Sequence, residues 1–289
     1  MVKMTGRGIL IAAASAVCIS SGVVFVRFAY QAGLTPGTAL FLRFGLAAVM
    51  LMIYLRVSRR WTAFPLNEKA ALLGLGLAAY TALGVTWFVS LSLIPAWMVS
   101  LFAAPQPLLI ALGSWLFLKG DFNSKLLLPL VTVVAGGVLL FLQPFSQTDI
   151  AGILLMLLNV VVYTVYILVG QGLINRRSPE TAVFWILCGA AVGSFFYALA
   201  VGQLNFNFAP AGWLWALGLA LVATVMAITF LWHGIRLLGP ARAAIIGALD
   251  PVFSVSLAVF VLGERLTVQQ MAGGVLILGG VIAVRILEQ

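Results

Sequence analysis

The sequence predicts an all-α polytopic membrane protein, with ten transmembrane helices arranged as two inverted five-helix repeats. Three observations support this fold class. The 289-residue chain is 63% hydrophobic and only 8% charged, whereas about 25% of the residues in a soluble domain are charged. Ten apolar segments follow one another with short connections, and the second half of the chain repeats patterns of the first.

A helix needs about 20 mostly apolar residues to cross a bilayer. Ten segments meet this length to within a few residues, namely 8–31, 36–57, 69–93, 96–118, 126–142, 150–173, 180–201, 211–237, 241–262 and 267–287. The connections contain glycine and proline, as is typical of turns. The first segment follows Lys3 and Arg7 and so resembles a signal peptide, but its length and the lack of a clear cleavage site favour a membrane helix.

The two halves of the chain are related by a shift of 143 residues, which aligns 101–142 with 244–285. The aligned pairs include Gly120 with Gly263, Asp121 with Glu264, Thr35 with Ser178, Pro36 with Pro179, Thr38 with Thr181 and Phe41 with Phe184, and a shift of 145 aligns Trp87 with Trp232 and Pro95 with Pro240. We therefore divide the chain into repeats 1–145 and 146–289. Because each repeat holds five segments, an odd number, the second enters the bilayer from the opposite side.

Basic residues concentrate on the side that faces the cytoplasm when the amino terminus is inside. On that side lie Lys3, Arg7, Arg56, Arg59, Arg60, Lys69, Lys119, Lys125, Arg176, Arg177, Arg236, Arg242 and Arg285. The opposite side has Arg265 and, near a helix end, Arg27. We therefore predict that both termini are cytoplasmic. The net charge of +9 comes from scattered loops rather than one continuous basic face, so we expect no nucleic-acid partner.

The residue types argue against catalysis, metal binding and disulfide formation. Cys18 and Cys188 lie in apolar segments of different halves, so we expect neither a disulfide framework nor a metal cluster. A membrane-embedded enzyme would need a motif such as HExxH or paired intramembrane aspartates, and the chain has one histidine and one intramembrane aspartate. A scaffold or sensor would need a domain outside the membrane, and no long polar stretch remains for one. We therefore expect neither an enzyme nor a cofactor.

Proline residues interrupt two apolar segments at matched positions. Pro105 and Pro107 break the fourth segment, and Pro251 breaks the ninth. Broken helices in transporters face the interior between the repeats, because freed backbone groups need polar partners. We predict that these prolines are hinges on a solute pathway, with a packing kink as the alternative.

A polar stripe runs along the sixth segment. Asn159, Tyr163 and Tyr166 are spaced at i, i+4 and i+7, which places them on one face of a helix otherwise made of Leu, Val and Ile. Lipid excludes such a face. We therefore predict that the stripe lines the interior, with Tyr163 as its best candidate.

Residues in both halves resemble the drug/metabolite transporter superfamily in its EamA-like branch. The most specific match is DPVFSVSLAVFVLGERLTVQQMAGGVLILGGVIAV at 250–284, and a second is Arg43 in LFLRFGLAAVM. The first repeat departs from the family with Gly120-Asp121 in place of Gly-Glu. Within the branch, the sequence is most similar to YddG-type exporters of aromatic amino acids. The resemblance implies alternating access around a central cavity, with segments one, three, four, six, eight and nine around it and segments five and ten outside.

An aromatic amino acid presents a ring, an ammonium and a carboxylate, for which aromatic faces and hydroxyl, amide or backbone donors are suited. On the segments that the resemblance places around the cavity, the candidate binding residues are Ser20, Ser21, Tyr80, Trp87, Met98, Phe102, Gln106, Asn159, Tyr163, Tyr166, Trp232 and His233. For any single aromatic residue, anchoring at the membrane interface or ordinary packing is the alternative.

Ionisable side chains inside a membrane need a specific partner or a function. Asp250 lies inside the ninth segment and is predicted to bind a proton or the substrate ammonium, with a structural pair as the alternative. Arg43 either holds the substrate carboxylate or supplies hydrogen bonds that stabilise the fold. His233 either relays protons or is a hydrogen-bonded packing residue.

We therefore predict an exporter of amino acids, aromatic and other neutral ones, in the bacterial inner membrane, with a small-molecule substrate and the lipid bilayer as partners. The alternatives are export of another metabolite or drug, such as a nucleoside or cationic drug, and phosphate-ester exchange, which needs at least two cavity bases. Proton coupling and oligomeric state stay open, a monomer included. The glycine pairs at 136–137, 273–274 and 279–280 are predicted packing seams, in which segments five and ten meet each other or another copy.

Overall fold

The computed structural model describes residues 6–93, 106–118, 127–140, 150–174, 178–262 and 268–287. Its helices are α1 (Gly6–Gln31), α2 (Pro36–Val57), α3 (Leu66–Leu75), α4 (Thr81–Leu93), α5 (Gln106–Leu118), α6 (Leu127–Leu140), α7 (Ile150–Ile174), α8 (Pro179–Ala200), α9 (Ala211–Ala220), α10 (Ala227–Leu238), α11 (Pro240–Gly247), α12 (Asp250–Leu262) and α13 (Val268–Leu287). Two π-helical segments, Gly76–Tyr80 and Leu221–Met226, join α3 to α4 and α9 to α10. The all-helical class is confirmed.

Six helical stretches in the described ranges are long and apolar enough to cross a membrane. They are Gly6–Gln31, Pro36–Val57, Leu66–Leu91, Ile150–Ile174, Pro179–Ala200 and Ala211–Leu238. Each of the remaining predicted segments contains a shorter described helix, and the ninth is divided between α11 and α12. The count of ten spans stays a prediction.

Helices α2 and α8 begin with the same local chemistry, at positions that the 143-residue shift aligns. Pro36 and Pro179 occupy the first helical position, where proline loses no helical hydrogen bond. Before them, Thr35 caps α2 by accepting a hydrogen bond from the Thr38 amide at 3.2 Å. Ser178 precedes α8, and its hydroxyl instead donates to the Glu180 carboxylate at 2.7 Å.

Helices α2 and α8 pack against each other with hydrogen bonds that occur in a matched pair. The Asn205 amide donates to the Thr38 hydroxyl at 2.9 Å, and the Thr62 amide donates to the Thr181 hydroxyl at 3.3 Å. The 143-residue shift takes Thr38 to Thr181 and Thr62 to Asn205. The same contact is therefore made once from each half. Since the start of each helix bonds to the chain beyond the end of the other, the two helices run antiparallel.

Helices α6 and α13 meet through their glycines. A Cβ at Gly136 would lie 2.7 Å from the Gly273 carbonyl oxygen, and a Cβ at Gly280 would lie 2.9 Å from the Pro129 carbonyl oxygen. Only glycine permits this approach. The partner's residue numbers fall as those of α6 rise, so this pair is antiparallel as well. The fifth and tenth segments thus contact each other within one chain.

Other helix contacts also cross between the halves. Helix α1 of the first half packs against α10, α11 and α12 of the second, and α7 of the second half packs against α4 and α5 of the first. Between them, α5 contacts α11. Each half therefore inserts helices into the other, and the largest buried side chains, which include Trp232, Tyr166, Phe44 and Phe88, gather where they interlock. The outer helices α6 and α13 leave apolar side chains such as Leu128 and Val275 exposed to the surroundings.

Candidate functional site

A cavity of about 270 Å³ lies where the two halves meet, near the lower end of the range for small-molecule sites. Helices α1, α2, α4, α5, α7, α10, α11 and α12 contribute to its walls, and α6 and α13, which the resemblance placed outside, add Val133 and Ile277. The lining is mostly apolar, and its polar and aromatic members are Ser15, Arg43, Phe44, Tyr80, Trp87, Gln106, Asn159, Tyr163, Tyr166, Asp250 and Ser254. Eight of these were predicted from the sequence, and the structure brings them together from both repeats.

Tyrosine rings form one wall of the cavity. Tyr166 is fully buried, and its ring centroid lies 5.1 Å from that of Tyr80 and 6.4 Å from that of Tyr163. Behind it, the Trp232 indole N–H donates to the Tyr166 hydroxyl at 3.1 Å. Tyr80 and Tyr163 are only partly buried. These two rings are therefore the ones accessible from the cavity, and both pack against Tyr166.

Asn159, the first residue of the polar stripe, ties α7 to α4. Its amide nitrogen donates to the Leu83 carbonyl at 2.9 Å and to the Thr86 hydroxyl at 2.7 Å. Both N–H groups are therefore used inside the protein. The predicted stripe thus combines one residue that fixes the helix pair with a tyrosine that is accessible from the cavity, Tyr163.

Asp250 begins α12 and reaches the cavity lining. Its Oδ1 atom accepts hydrogen bonds from the Ser20 hydroxyl of α1 at 2.5 Å and from the Ser254 hydroxyl at 3.3 Å. A carboxylate in the first turn of a helix is also favoured by the helix dipole. The partners that the structure gives this carboxylate are hydroxyl groups, so its charge is solvated without being neutralised.

Arg43 makes the hydrogen bonds of the fold-stabilising alternative and also lines the cavity. Its Nε–H donates to the Thr224 hydroxyl at 2.8 Å, and an Nη2–H donates to the Ala223 carbonyl at 3.2 Å. These bonds hold α2 to the second π segment. The guanidinium carbon also lies 5.4 Å from the Phe44 ring centroid, and Arg43 lines the cavity. A cation that stabilises the fold is thus accessible to a bound anion.

Four predicted site residues lie outside the cavity lining. Ser20 supports Asp250 from behind, and Ser21 donates to the Cys18 carbonyl within α1 at 2.7 Å. Trp232 is fully buried behind Tyr166. His233 lies on the far side of α10, where Nε2 is 3.5 Å from Oε1 of Glu180 and Nδ1 is 2.8 Å from the Thr229 carbonyl oxygen. The sequence offers no carboxylate near His233, and folding supplies one from α8.

Three predicted residues lie outside the described residues, namely the binding candidates Met98 and Phe102 and the hinge proline Pro105. The other two hinge prolines are described. Pro107 and Pro251 are in helical backbone, in α5 and α12. The break in the ninth segment lies just before Pro251, because α11 ends at Gly247 and α12 begins at Asp250. Proline is tolerated in such a first turn, so it begins the second helix piece and does not kink a continuous one.

The sequence analysis missed two serines of the lining. Ser254 lies one helical turn after Asp250 and shares its face, a spacing that was available in the sequence. Ser15 donates to the Ala227 carbonyl at 2.8 Å and joins α1 to the start of α10. Nothing in the pattern of α1 distinguishes Ser15 from other small residues.

Two matches to one family model cover nearly the whole chain. The model of the EamA-like transporter family matches residues 6–142 and again residues 150–286. The chain belongs to the EamA-like transporter family. This EamA-like protein is a multi-pass membrane transporter, and its substrate is a small molecule.

Relatives of this EamA-like transporter carry the same general description. An uncharacterized transporter of Archaeoglobus fulgidus is 25% identical over 96% of this chain and 97% of its own length. The uncharacterized transporter YyaM of Bacillus subtilis is 24% identical over 91% of this chain and 89% of its own length. A protein of known crystal structure is similar over 98% of this chain and 98% of its own, with a TM-score of 0.81 at 18% sequence identity. That likeness shows the fold.

Proposed function

We propose that this EamA-like transporter exports amino acids, aromatic and other neutral ones, across the bacterial inner membrane. One observation carries the proposal: a single cavity presents the cation of Arg43, the carboxylate of Asp250 and the rings of Tyr80 and Tyr163. A zwitterionic amino acid presents the complementary carboxylate, ammonium and side chain. The similarity to YddG-type exporters supports the same substrate class.

The order of these groups around the wall supports one binding orientation. The Arg43 Cζ atom lies 5.4 Å from the Phe44 ring centroid, the Phe44 ring lies 5.1 Å from that of Tyr80, and Tyr166 packs against both Tyr80 and Tyr163. An aromatic surface therefore extends from Arg43 along the wall of the cavity that Asp250 also lines. In the proposed orientation the substrate carboxylate faces Arg43, its ammonium faces Asp250, and its side chain packs on the tyrosines.

The paired contacts between the halves support alternating access. The matched hydrogen bonds of α2 with α8 and the antiparallel α6–α13 contact are those expected if the repeats 1–145 and 146–289 are related by a twofold axis in the membrane plane. Exchanging the conformations of two such repeats converts a site open to one side into a site open to the other. Ten spans and two cytoplasmic termini are part of this proposal.

A cationic drug is the second candidate substrate, because Asp250 and the tyrosine rings would suit a cation without any contribution from Arg43. A phosphate ester is disfavoured. It needs at least two bases, and among the described lining residues Arg43 is the one basic side chain.

Counterflow in proteoliposomes tests the proposal. Vesicles with the purified transporter and preloaded with unlabelled phenylalanine are expected to take up labelled phenylalanine and threonine, whereas protein-free vesicles take up neither. Repeating the assay with and without a pH gradient shows whether protons are coupled. Exchange of a cationic drug or a nucleoside without exchange of either amino acid would overturn the amino-acid assignment in favour of the alternative.

A further inference from the structure

The two π segments occupy corresponding places in the two repeats. The shift of 145 that aligns Trp87 with Trp232 takes Gly76–Tyr80 onto residues 221–225, within the segment Leu221–Met226. A π turn contains one more residue than an α turn, weakens the regular backbone hydrogen bonding and is frequently found at functional sites. Both segments also contribute to the cavity, through Tyr80 and Ala223.

Backbone packing holds the first π segment in place. A Cβ at Gly76 would lie 2.0 Å from the Ile186 carbonyl oxygen, and a Cβ at Gly189 would lie 2.1 Å from the Leu73 carbonyl oxygen. At such distances the main chains of α8 and this segment are in direct contact. The contact is made by backbone atoms and has no side-chain group for which a solute in the cavity could compete.

A side chain performs the corresponding task at the second π segment. Arg43 replaces the backbone contact with two hydrogen bonds, to the Thr224 hydroxyl at 2.8 Å and to the Ala223 carbonyl at 3.2 Å. The 143-residue shift aligns Arg43 with Ile186, the residue whose carbonyl meets the first π segment. Aligned positions of the two repeats therefore each contact a π segment. Ile186 does so through its backbone carbonyl, and Arg43 does so through its guanidinium.

A bound carboxylate competes with the second π segment for Arg43. Of the five N–H donors of a guanidinium, the segment occupies the Nε–H and one Nη2–H, which form one edge of the fork, and both acceptors are neutral. A carboxylate makes two parallel charge-assisted hydrogen bonds to the same fork, which are about twice as strong as bonds to neutral acceptors. Since Arg43 lines the cavity, such a ligand reaches it without unfolding anything.

We propose that Arg43 is the residue through which the carboxylate of a bound substrate releases the second π segment, so that α9–α10 moves while the first π segment stays fixed. This inference rests on the proposed function for the identity of its substrate. Arg43 both selects solutes that carry a carboxylate and positions the helix that moves. In this ligand-triggered step the first π segment stays in place and the second moves.

Hydrogen exchange of the purified full-length transporter tests the release. Phenylalanine and phenylpropionate, which have a carboxylate, are expected to raise amide exchange in 221–226, whereas phenethylamine, which lacks one, is expected not to. Exchange in 76–80 is the internal control and is expected to stay unchanged. In Arg43→Lys, which keeps the charge but loses the fork, exchange in 221–226 is expected to be high without ligand and to respond to none.

Thr224→Val supplies a readout that a purely structural role of Arg43 would not produce. The substitution removes an acceptor that competes with the ligand, so phenylpropionate is expected to bind about threefold tighter or more. Unchanged or weaker binding would overturn the inference, as would unchanged or reduced exchange in 221–226 when a carboxylate binds to the unmodified protein. That second comparison needs no variant to fold.

The ligand series separates this inference from the proposed function. If phenylpropionate raises exchange in 221–226 and phenylalanine does not bind, the role of Arg43 stands and the amino-acid substrate is wrong. If phenylalanine binds and exchange in 221–226 does not rise, the substrate class stands and the release mechanism is wrong. If neither carboxylate binds, both are wrong.

Discussion

Tyr163 offers the most direct test of the proposed amino-acid site. Its ring lines the cavity and lies 6.4 Å from that of Tyr166. Tyr163→Ala is expected to weaken phenylalanine transport about three- to tenfold, because an aromatic pair contributes about 0.5–1.5 kcal/mol beyond simple burial. Counterflow at several phenylalanine concentrations measures the change.

A neighbouring position on α7 supplies the control for Tyr163. Val165 is 49% exposed and is absent from the cavity lining among the described residues. Val165→Ala is expected to leave phenylalanine transport unchanged. Equal transport rates in the Tyr163→Ala variant and the Val165→Ala variant would remove Tyr163 from the site.

Asp250 is tested by a substitution that keeps its shape and removes its charge. In Asp250→Asn the amide oxygen still accepts the hydrogen bond from Ser20, so the α1–α12 contact is retained. Phenylalanine is expected to bind about tenfold more weakly, as expected for losing a hydrogen bond between charged groups. Phenylpropionate, which has no ammonium, is expected to bind as before. A similar loss for both ligands would assign Asp250 a structural role.

His233 is expected to be dispensable for transport. It pairs with Glu180 at 3.5 Å, and 31% of its side chain is exposed. Partly exposed ion pairs contribute up to about 1 kcal/mol. His233→Gln is therefore expected to transport phenylalanine with an unchanged response to a pH gradient and to lose a little thermal stability. Loss of the gradient response with binding intact would restore the proton relay.

The first π segment is the element whose packing is tightest. Gly76→Ala places a methyl group against the Ile186 carbonyl, and because backbone cannot move aside, the substitution is expected to cost at least about 2 kcal/mol. Gly74→Ala, two residues earlier, has no atom within 4 Å of the new methyl and is expected to stabilise the helix by about 0.5–1 kcal/mol. Thermal unfolding in detergent measures both.

The pair of glycine variants also tests the close approach of the first π segment to α8. Without that approach, a methyl group at position 76 would contact no more backbone than one at position 74. Equal melting temperatures for the two variants would therefore contradict the packing of this segment.

The proposed inverted arrangement of the repeats makes a prediction for the entire chain. Arg59 follows the second segment and Arg177 follows the sixth, and both are predicted to be cytoplasmic. With Cys18 and Cys188 replaced by serine, single cysteines at these two positions are expected to react with an impermeant maleimide from the same side. Asn207→Cys, in the exposed connection between α8 and α9, is expected to react from the other side. Labelling of Arg59→Cys and Arg177→Cys from opposite sides would exclude inverted repeats.

Much of the fold was predictable because hydropathy and repetition are properties of the chain itself. The apolar segments predicted the positions of the helices, and α2 and α8 begin at the proline positions that the repeat aligns. The membership of the cavity was partly predictable for the same reason. A polar residue in an apolar helix has few places to go, which explains why Arg43, Tyr163 and Asp250 were identified as candidates.

The rotation of each helix about its axis could not be read in the same way. In a soluble protein, an apolar stripe shows which face is buried. In these segments the lipid-facing and interior faces are both apolar, so periodicity does not distinguish them. Trp232 and His233 are neighbours in sequence, yet one is fully buried behind Tyr166 and the other pairs with Glu180 away from the cavity.

Hydropathy and duplication therefore predicted the class of protein, the places of its helices and the division into two repeats, because each is encoded along the chain. Packing between the halves established the rest. The π segments have no signature in the sequence, and the structure has them where the α8 backbone contacts Gly76 and where Arg43 is hydrogen-bonded to Thr224. Distant contacts of this kind select among backbone geometries that are nearly equal in energy, and that selection is made only when the helices meet.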